Sequence, residues 1–212
     1  MNTTHMKSVF TTVAAMVLWS AALPMAGAQE TSRGAVVVYP VVYSRNSGSE
    51  TSRKTGVTAV KEALQKSGFT LISSTVAANT WRRLGFPMAM TNSPASLGDL
   101  VRFGRAVKAQ FVVSPQFDFN SRSIWVDLGP RTVSTATVDI RITDVSKEAT
   151  VYTRDDVTGR SDEKFNLLEA GADILVTPIA TMVSGGPKTP HEQRAVQIAV
   201  VKALRPWVKP TE

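Results

Sequence analysis

The sequence predicts an α/β fold, a mixed sheet of about five strands with helices on both faces, in the order β-α-β-α-α-β-β-β-α-α. Three observations carry it: the apolar β-branched run GAVVVYPVVY from Gly34 to Tyr43, the strict alternation from Ser134 to Thr143, and apolar stripes at helical spacing behind capping signals at Ser96 and Thr189. The chain of 212 residues is 43% hydrophobic and 19% charged, which suits one globular domain with tails.

The first residues stand apart. Lys7 gives a basic start, VFTTVAAMVLWSAALPM is apolar, and Ala26-Gly27-Ala28 is a small-x-small cleavage site, so residues 1–28 read as a secretory signal peptide cleaved near Ala28. Met6 is an alternative start. The apolar run is shorter than the roughly 20 residues a spanning helix needs, and no later stretch is longer. The division expected is a signal peptide 1–28, a short tail 29–33, one α/β domain 34–208 and a C-terminal tail 209–212, with the mature protein exported to the periplasm or beyond.

The elements follow in order. Gly34 to Tyr43 has the continuous apolar character of a strand covered on both faces, with Pro40 at its end or at a bulge. SRNSGSETSRKTG reads as a mobile polar loop. Val57, Val60, Ala63 and Leu64 then recur at helical spacing, with Gly68 placed as a C-terminal cap. FTLISS is a second strand, parallel to the first through a right-handed crossover.

TVAANTWRRLGF is a short helix with Ala77, Trp81 and Leu84 on one face and Arg82-Arg83 on another, and PMAMTNSP is a linker. Ser96 to Asp99 has capping-box spacing, ahead of a stripe of Leu97, Leu100, Val101, Gly104 and Val107. The opposite face carries Arg102, Arg105 and Lys108. AQFVVSPQFDF is the third strand. In the fourth, Ser134, Ala136, Val138, Ile140 and Ile142 face one side and Thr135, Thr137, Asp139, Arg141 and Thr143 the other, a half-buried strand with a polar face. SKEA turns into TVYTRDDVTG, its antiparallel partner. A helix from Ser161-Asp162-Glu163, broken at Pro178 and stopped at Gly185-Gly186-Pro187, precedes a last helix that begins at Thr189-Pro190-His191-Glu192, with Glu192 reaching back to its own cap.

Composition excludes several classes of chemistry. The chain has no cysteine, hence no disulfide, thiolate metal site or lipidated cysteine. Its two histidines, His5 and His191, cannot form a multi-histidine metal site, and His5 leaves with the leader. Ser161-x-x-Lys164 fits a serine-hydrolase nucleophile motif, but its companion motifs are absent and a helix cap explains the pattern better. Gly185 to Thr189 lacks phosphate-loop spacing. Asp155-Asp156 lacks the calcium-loop pattern and reads as strand-end acids pairing with Arg154 or Arg160. No catalytic, cofactor or metal residue is assigned. Net charge is +7, and +6 without Met1 to Ala28, which favours anionic cell-wall or membrane surfaces over nucleic acid in an exported chain; solubility explains the same excess.

LGDLVRFGRAVKAQFVVSPQFDF followed by TATVDIRITDVSKEATVYTRDDVTG and a helical tail resembles the periplasmic domain shared by the curli secretion-channel protein and the lipoprotein activators of penicillin-binding proteins, and is similar to the N-terminal domain of the Tol-system propeller protein. Ala109-Gln110-Phe111-Val112-Val113 stands where those families read A-D-x-[IV]-[IV]-x-G, and Val138 to Val145 where they read V-D-x-R-[LI]-[VI]-D. Gln110 replaces the usual aspartate and no lipidation cysteine follows the leader. The resemblance implies a non-catalytic, protein-binding or assembly role in the cell envelope.

The expectation is therefore an exported binding or scaffold protein that is not an enzyme. It would act on an envelope protein partner or an anionic surface, and self-association into a homo-oligomer stays open. An envelope hydrolase or transferase working through Ser161-Lys164 or His191 is the rival. Contact candidates are Trp125, Asp139 and Arg141, with the helix face of Arg102, Arg105 and Lys108. Trp125, in SIWVDLGPR beside a Gly-Pro turn, is a contact point if exposed and a loop anchor if buried.

Overall fold

The computed structural model describes residues 33–39, 48–86, 95–126, 129–163 and 188–208. The expected signal peptide, Pro40 to Tyr43, the expected 87–94 linker, the helix expected after Glu163 with Pro178 and Gly185 to Pro187, and the expected C-terminal tail lie outside the described residues. Within them the order is β1 (Ala35–Val38), α1 (Glu50–Lys66), β2 (Thr70–Leu71), α2 (Ser74–Arg83), α3 (Leu97–Ala106), β3 (Phe111–Val126), β4 (Gly129–Asp144), β5 (Ala149–Arg160) and α4 (Thr189–Val208). The sheet runs β2-β1-β3-β4-β5, with β1 parallel to β2 and β3, and β3, β4 and β5 antiparallel. This is the mixed five-stranded α/β fold the sequence predicts.

Side-chain alternation divides the core in two, one layer on each face of the sheet. Val36, Val38, Val113, Phe117, Phe119, Ala136, Val138, Ile140 and Ile142 face α1 and α4, meeting Val60 and Leu64 of the first and Val196, Ala199, Val200 and Leu204 of the second. The opposite parity, Val37, Tyr39 and Val112, faces α2 and α3. There Trp81 lies edge-on to Tyr39 at 4.5 Å and to Phe103 at 5.1 Å between ring centroids. The α3 stripe differs from its expected composition: Leu97 is exposed, while Phe103 is fully buried with Leu100, Val101 and Gly104.

Local signals account for most boundaries. Ser96 caps α3 by accepting from the Asp99 N–H at 3.1 Å and donating its hydroxyl to the Asp99 carboxylate at 2.7 Å. Gly68, one residue past the Ser67 C-cap of α1, has φ +82°, a left-handed conformation that favours glycine. The expected loop around SRNSGSETSRKTG is overturned in its second half: α1 starts at Glu50, capped by the Ser49 hydroxyl. The first turns of that helix bury Ser52 and Gly56 rather than large apolar groups, which removes the periodic signal. Ser161 and Asp162 form a turn, and the helix expected from this segment lies outside the described residues beyond Glu163.

β3 is one 16-residue strand that takes in the expected third strand from Phe111 and runs on through Ser123-Ile124-Trp125-Val126, while Gly129-Pro130-Arg131 open β4. Pro115 is tolerated inside it for a geometric reason. The Val113 carbonyl accepts from the Tyr39 N–H at 2.8 Å, so residues of that parity direct backbone groups toward β1. β1 ends at Val38, before the level of Pro115, so the missing N–H breaks no β3–β4 bond. At the far end β5 stops pairing at Thr135–Arg160, and β3–β4 continues as a two-stranded ribbon to Val126 and Gly129. Five residues of extended chain past Ser121 carry it about 16 Å further.

The β4–β5 turn is fixed by Asp144, whose carboxylate accepts from the Ser146 hydroxyl at 2.6 Å and from the Ser146 and Lys147 N–H groups at 3.0 and 3.1 Å. These bonds, the Ser146 hydroxyl foremost, hold its carboxyl below the usual aspartate range. A depressed folded pKa stabilises above the unfolded value, about 3.9, and the contribution is lost as pH falls through the lower folded value. Asp144→Asn should therefore cost about 1 kcal/mol at neutral pH. In urea melts at a series of pH values, the gap to wild type should close below about pH 4.

Candidate functional site

The residues singled out from the sequence fall into three places. Trp125 stands on the ribbon tip opposite Pro130, 82% exposed, so it is a surface group and not a loop anchor. Its parity places it on the same side as Phe117, Phe119 and Ser121, beyond the N-terminal ends of α1 and α4. The ribbon is rooted by a chain of buried polar groups that joins four elements. The Glu192 carboxylate accepts from the Ser52 hydroxyl at 2.7 Å, the Ser49 N–H at 3.3 Å and the Ser121 hydroxyl at 3.3 Å. The Ser121 and Ser134 hydroxyls pair at 2.6 Å. Glu192 thus bridges α4 to α1 and β3, and does not reach back to its own helix start as the sequence pattern suggests.

Asp139 and Arg141 share the polar face of β4. Asp139 is half-buried and accepts from the Asp156 N–H at 2.8 Å. That bond sits at an irregularity in the β4–β5 register between Val138 and Ile140, where Asp156 adopts φ +57°. Arg141 is exposed beside a small recess of about 40 Å³ that Leu100, Ser114, Gln116 and Asp139 also line. Asp155 and Asp156 are exposed, and Arg160 pairs with Asp162 instead, in two bonds of 2.9 and 3.1 Å.

The basic helix face is real but divided. Arg102, Arg105 and Lys108 are all exposed. Arg105 forms an ion pair with Glu148 of the β4–β5 turn. Arg102 lies over the Phe86 ring, 5.6 Å from its centroid. Phe86 closes α2 just after Arg82 and Arg83, so this contact brings the C-terminal end of α2 to the α3 face. Lys108 has φ +58° just past the C-terminus of α3.

The hydrolase motif meets a structural use instead. Ser161 is buried, its hydroxyl accepts the Ser134 N–H at 3.0 Å, and its own N–H donates to the Ser134 carbonyl at 2.9 Å, finishing the β4–β5 ladder. Lys164 lies outside the described residues. Among the described residues no three His, Asp or Glu side chains gather as a metal site, and no helix is long and apolar enough to cross a membrane.

One feature escaped the sequence reading. On the polar face of β3, β4 and β5, a groove of about 680 Å³ is lined by Asp118, Phe119, Asn120, Arg122, Thr135, Thr137 and Arg160. Its pattern needs the pairing register, because the β3 residues meet those of β5 only through β4.

No family model and no curated protein matches the chain. Among solved structures it is similar to the C-terminal domain of LpoB from Salmonella enterica, at 16% identity and TM-score 0.41 over 61% of this chain and 83% of that one. It is also similar to the lipoprotein GNA1162 from Neisseria meningitidis, at 14% identity and TM-score 0.43 over 63% and 88% of the two chains. The hypothetical protein CT253 from Chlamydia trachomatis is similar at 15% identity and TM-score 0.44, over 82% of this chain and 97% of that one. At such scores these neighbours assign neither a family nor a residue role.

Proposed function

We propose that this chain is an exported, non-catalytic binding or scaffold protein of the bacterial cell envelope, and that the β3–β4 ribbon is its principal contact surface. The observation that carries the reading is Trp125, a large aromatic side chain 82% exposed on a two-stranded arm that outruns β5. Burial would stabilise such a side chain by about 2 kcal/mol, a gain left unused in the free protein. Buried interface aromatics of this kind are the usual anchors of protein–protein contacts. The leader sequence supports export, and the excess of positive charge supports contact with an envelope rich in anionic groups. The Ser161 hydroxyl closes the end of the β4–β5 ladder, which weighs against the hydrolase reading through Ser161.

Trp125→Ala separates binding from folding. It should leave the melting curve unchanged within about 0.5 kcal/mol, because the side chain packs on little, yet weaken partner binding by at least about tenfold. Affinity capture from envelope extract, with wild type and variant side by side, reads this directly. An unchanged set of captured proteins, with unchanged amounts, would remove the ribbon as the contact surface. Arg141→Ala and the pair Arg102→Ala with Lys108→Ala then test the other two candidate places by the same readout.

A further inference from the structure

The groove on the polar sheet face has an internal order that the contact reading does not use. Asp118, Thr137 and Thr158 are aligned across three strands, and Asn120, Thr135 and Arg160 form the next row toward the ribbon. Arg122 lies one row further, opposite Val133. The Asp118 Oδ1 atom is shut off from solvent and accepts no hydrogen bond, in a site lined almost wholly by polar groups. A buried carboxylate oxygen without a donor is costly, by about 1–3 kcal/mol, and neither the Thr137 hydroxyl across the strand pair nor the Asn120 amide bonds to this one. Arg160 is held by Asp162, whereas Arg122 is exposed, with no ion pair among the described residues. The groove is therefore dipolar along β3, with an acceptor in need of a donor at one end and an uncommitted guanidinium at the other.

The geometry points to a binding site for a short zwitterionic peptide, its free amine donating to Asp118 and its free carboxylate paired with Arg122. Four residues of strand separate the two charged positions, about 13 Å along the backbone, and both residues line the same groove. A tripeptide in extended form spans about 10 Å, which matches that gap. Asn120, Thr135 and Thr137 lie between the ends with amide and hydroxyl groups suited to a peptide backbone. Phe119 is the one aromatic residue that lines the groove among the described residues, and its side chain is buried in the opposite core, so it offers no stacking platform for a sugar. The cavity volume lies within the usual range for small-ligand sites, about 300–1,000 Å³. Three hydrogen-bonded strands hold the lining side chains in fixed register, which limits the ordering cost on binding.

Trialanine is a sufficient probe, titrated into the full-length mature chain by calorimetry and by amide chemical shifts. Free trialanine should bind saturably, and both N-acetyl-trialanine and trialanine amide should bind at least about tenfold more weakly, since each removes one charge-assisted contact. Asp118→Asn, nearly isosteric, should abolish the discrimination against the acetylated peptide and keep that against the amide. Arg122→Gln should do the reverse. The melting curve of Arg122→Gln should match wild type, and that of Asp118→Asn should lie at or above it, since the substitution removes a buried unpaired charge. Equal binding of free and capped peptides, no saturable binding at millimolar peptide, or variants that leave both ratios intact would each overturn the assignment. Trp125→Ala should leave these titrations unchanged, so the groove and the ribbon stand or fall separately.

Discussion

Gly159→Ala should destabilise the protein by about 3 kcal/mol and lower its melting temperature by about 10 °C, for one added methyl group. Gly159 is buried on β5 under α4, and a Cβ there would lie against the Ala195 carbonyl oxygen, 2.5 Å from the Ala199 nitrogen and 3.1 Å from its Cα. The obstacles are helix backbone, so no rotamer change relieves them. α4 would have to move away from β4 and β5, loosening Val196, Ala199, Val200 and Ala203 together. Gly159→Val should not yield folded protein.

The contrast with two other glycines makes this sharp. At Gly104 a Cβ would meet the Val145 and Val112 side chains, the latter at 2.8 Å, so Gly104→Ala should be partly rescued by Val145→Ala. No side-chain truncation should rescue Gly159→Ala. At exposed Gly98, in α3, the nearest atom would be the Ser96 hydroxyl oxygen at 3.9 Å. Gly98→Ala should stabilise by about 0.5–1 kcal/mol through helix propensity alone. Thermal melts of the three single variants and the Gly104 double variant check the ordering, and a neutral Gly159→Ala would mean that α4 does not sit as described.

What could be read from the sequence divides along one physical line. β4 was legible because Ser134, Ala136, Val138, Ile140 and Ile142 are buried throughout, as the alternation requires, while Thr135, Thr137, Asp139 and Arg141 on the other face keep contact with solvent; Thr143, at the end of that row, is buried. The α3 start was legible because Ser96 and Asp99 satisfy each other locally. The start of α1 was not, because its buried positions are Ser52 and Gly56, chosen by neighbours far away in the chain. A Cβ at Gly56 would lie 2.8 Å from the Phe117 ring, and Ser52 bonds Glu192. SIWV looked irregular because Ser123 and Trp125 are exposed while Ile124 is only half-buried, which leaves no apolar period to display. Trp125 was found from its residue type and neighbouring turn. The groove was invisible for a different reason, since Asp118 and Arg160 are joined only by the register of three strands.

Glu192→Ala should cost about 3–4 kcal/mol, although it removes no apolar contact of consequence. The carboxylate is buried, and three donors converge on it: the Ser49 N–H, the Ser52 hydroxyl and the Ser121 hydroxyl. Truncation strands the first at the N-terminus of α1 and removes the acceptor that fixes the other two, in a space too enclosed for full rehydration. It also removes a negative charge from the positive ends of α1 and α4. Glu192→Gln keeps one good acceptor oxygen and should cost less, about 1–2 kcal/mol. The consequence for function runs through Ser121, because Ser121 and Ser134 face each other where the third strand ends and the ribbon begins. Amide exchange should therefore accelerate first in residues 119–126 and 129–134 of Glu192→Gln, ahead of α2 and α3, and binding through Trp125 should weaken while the sheet remains folded. Uniform acceleration across the domain would show instead that Glu192 supports the core as a whole and has no particular hold on the arm.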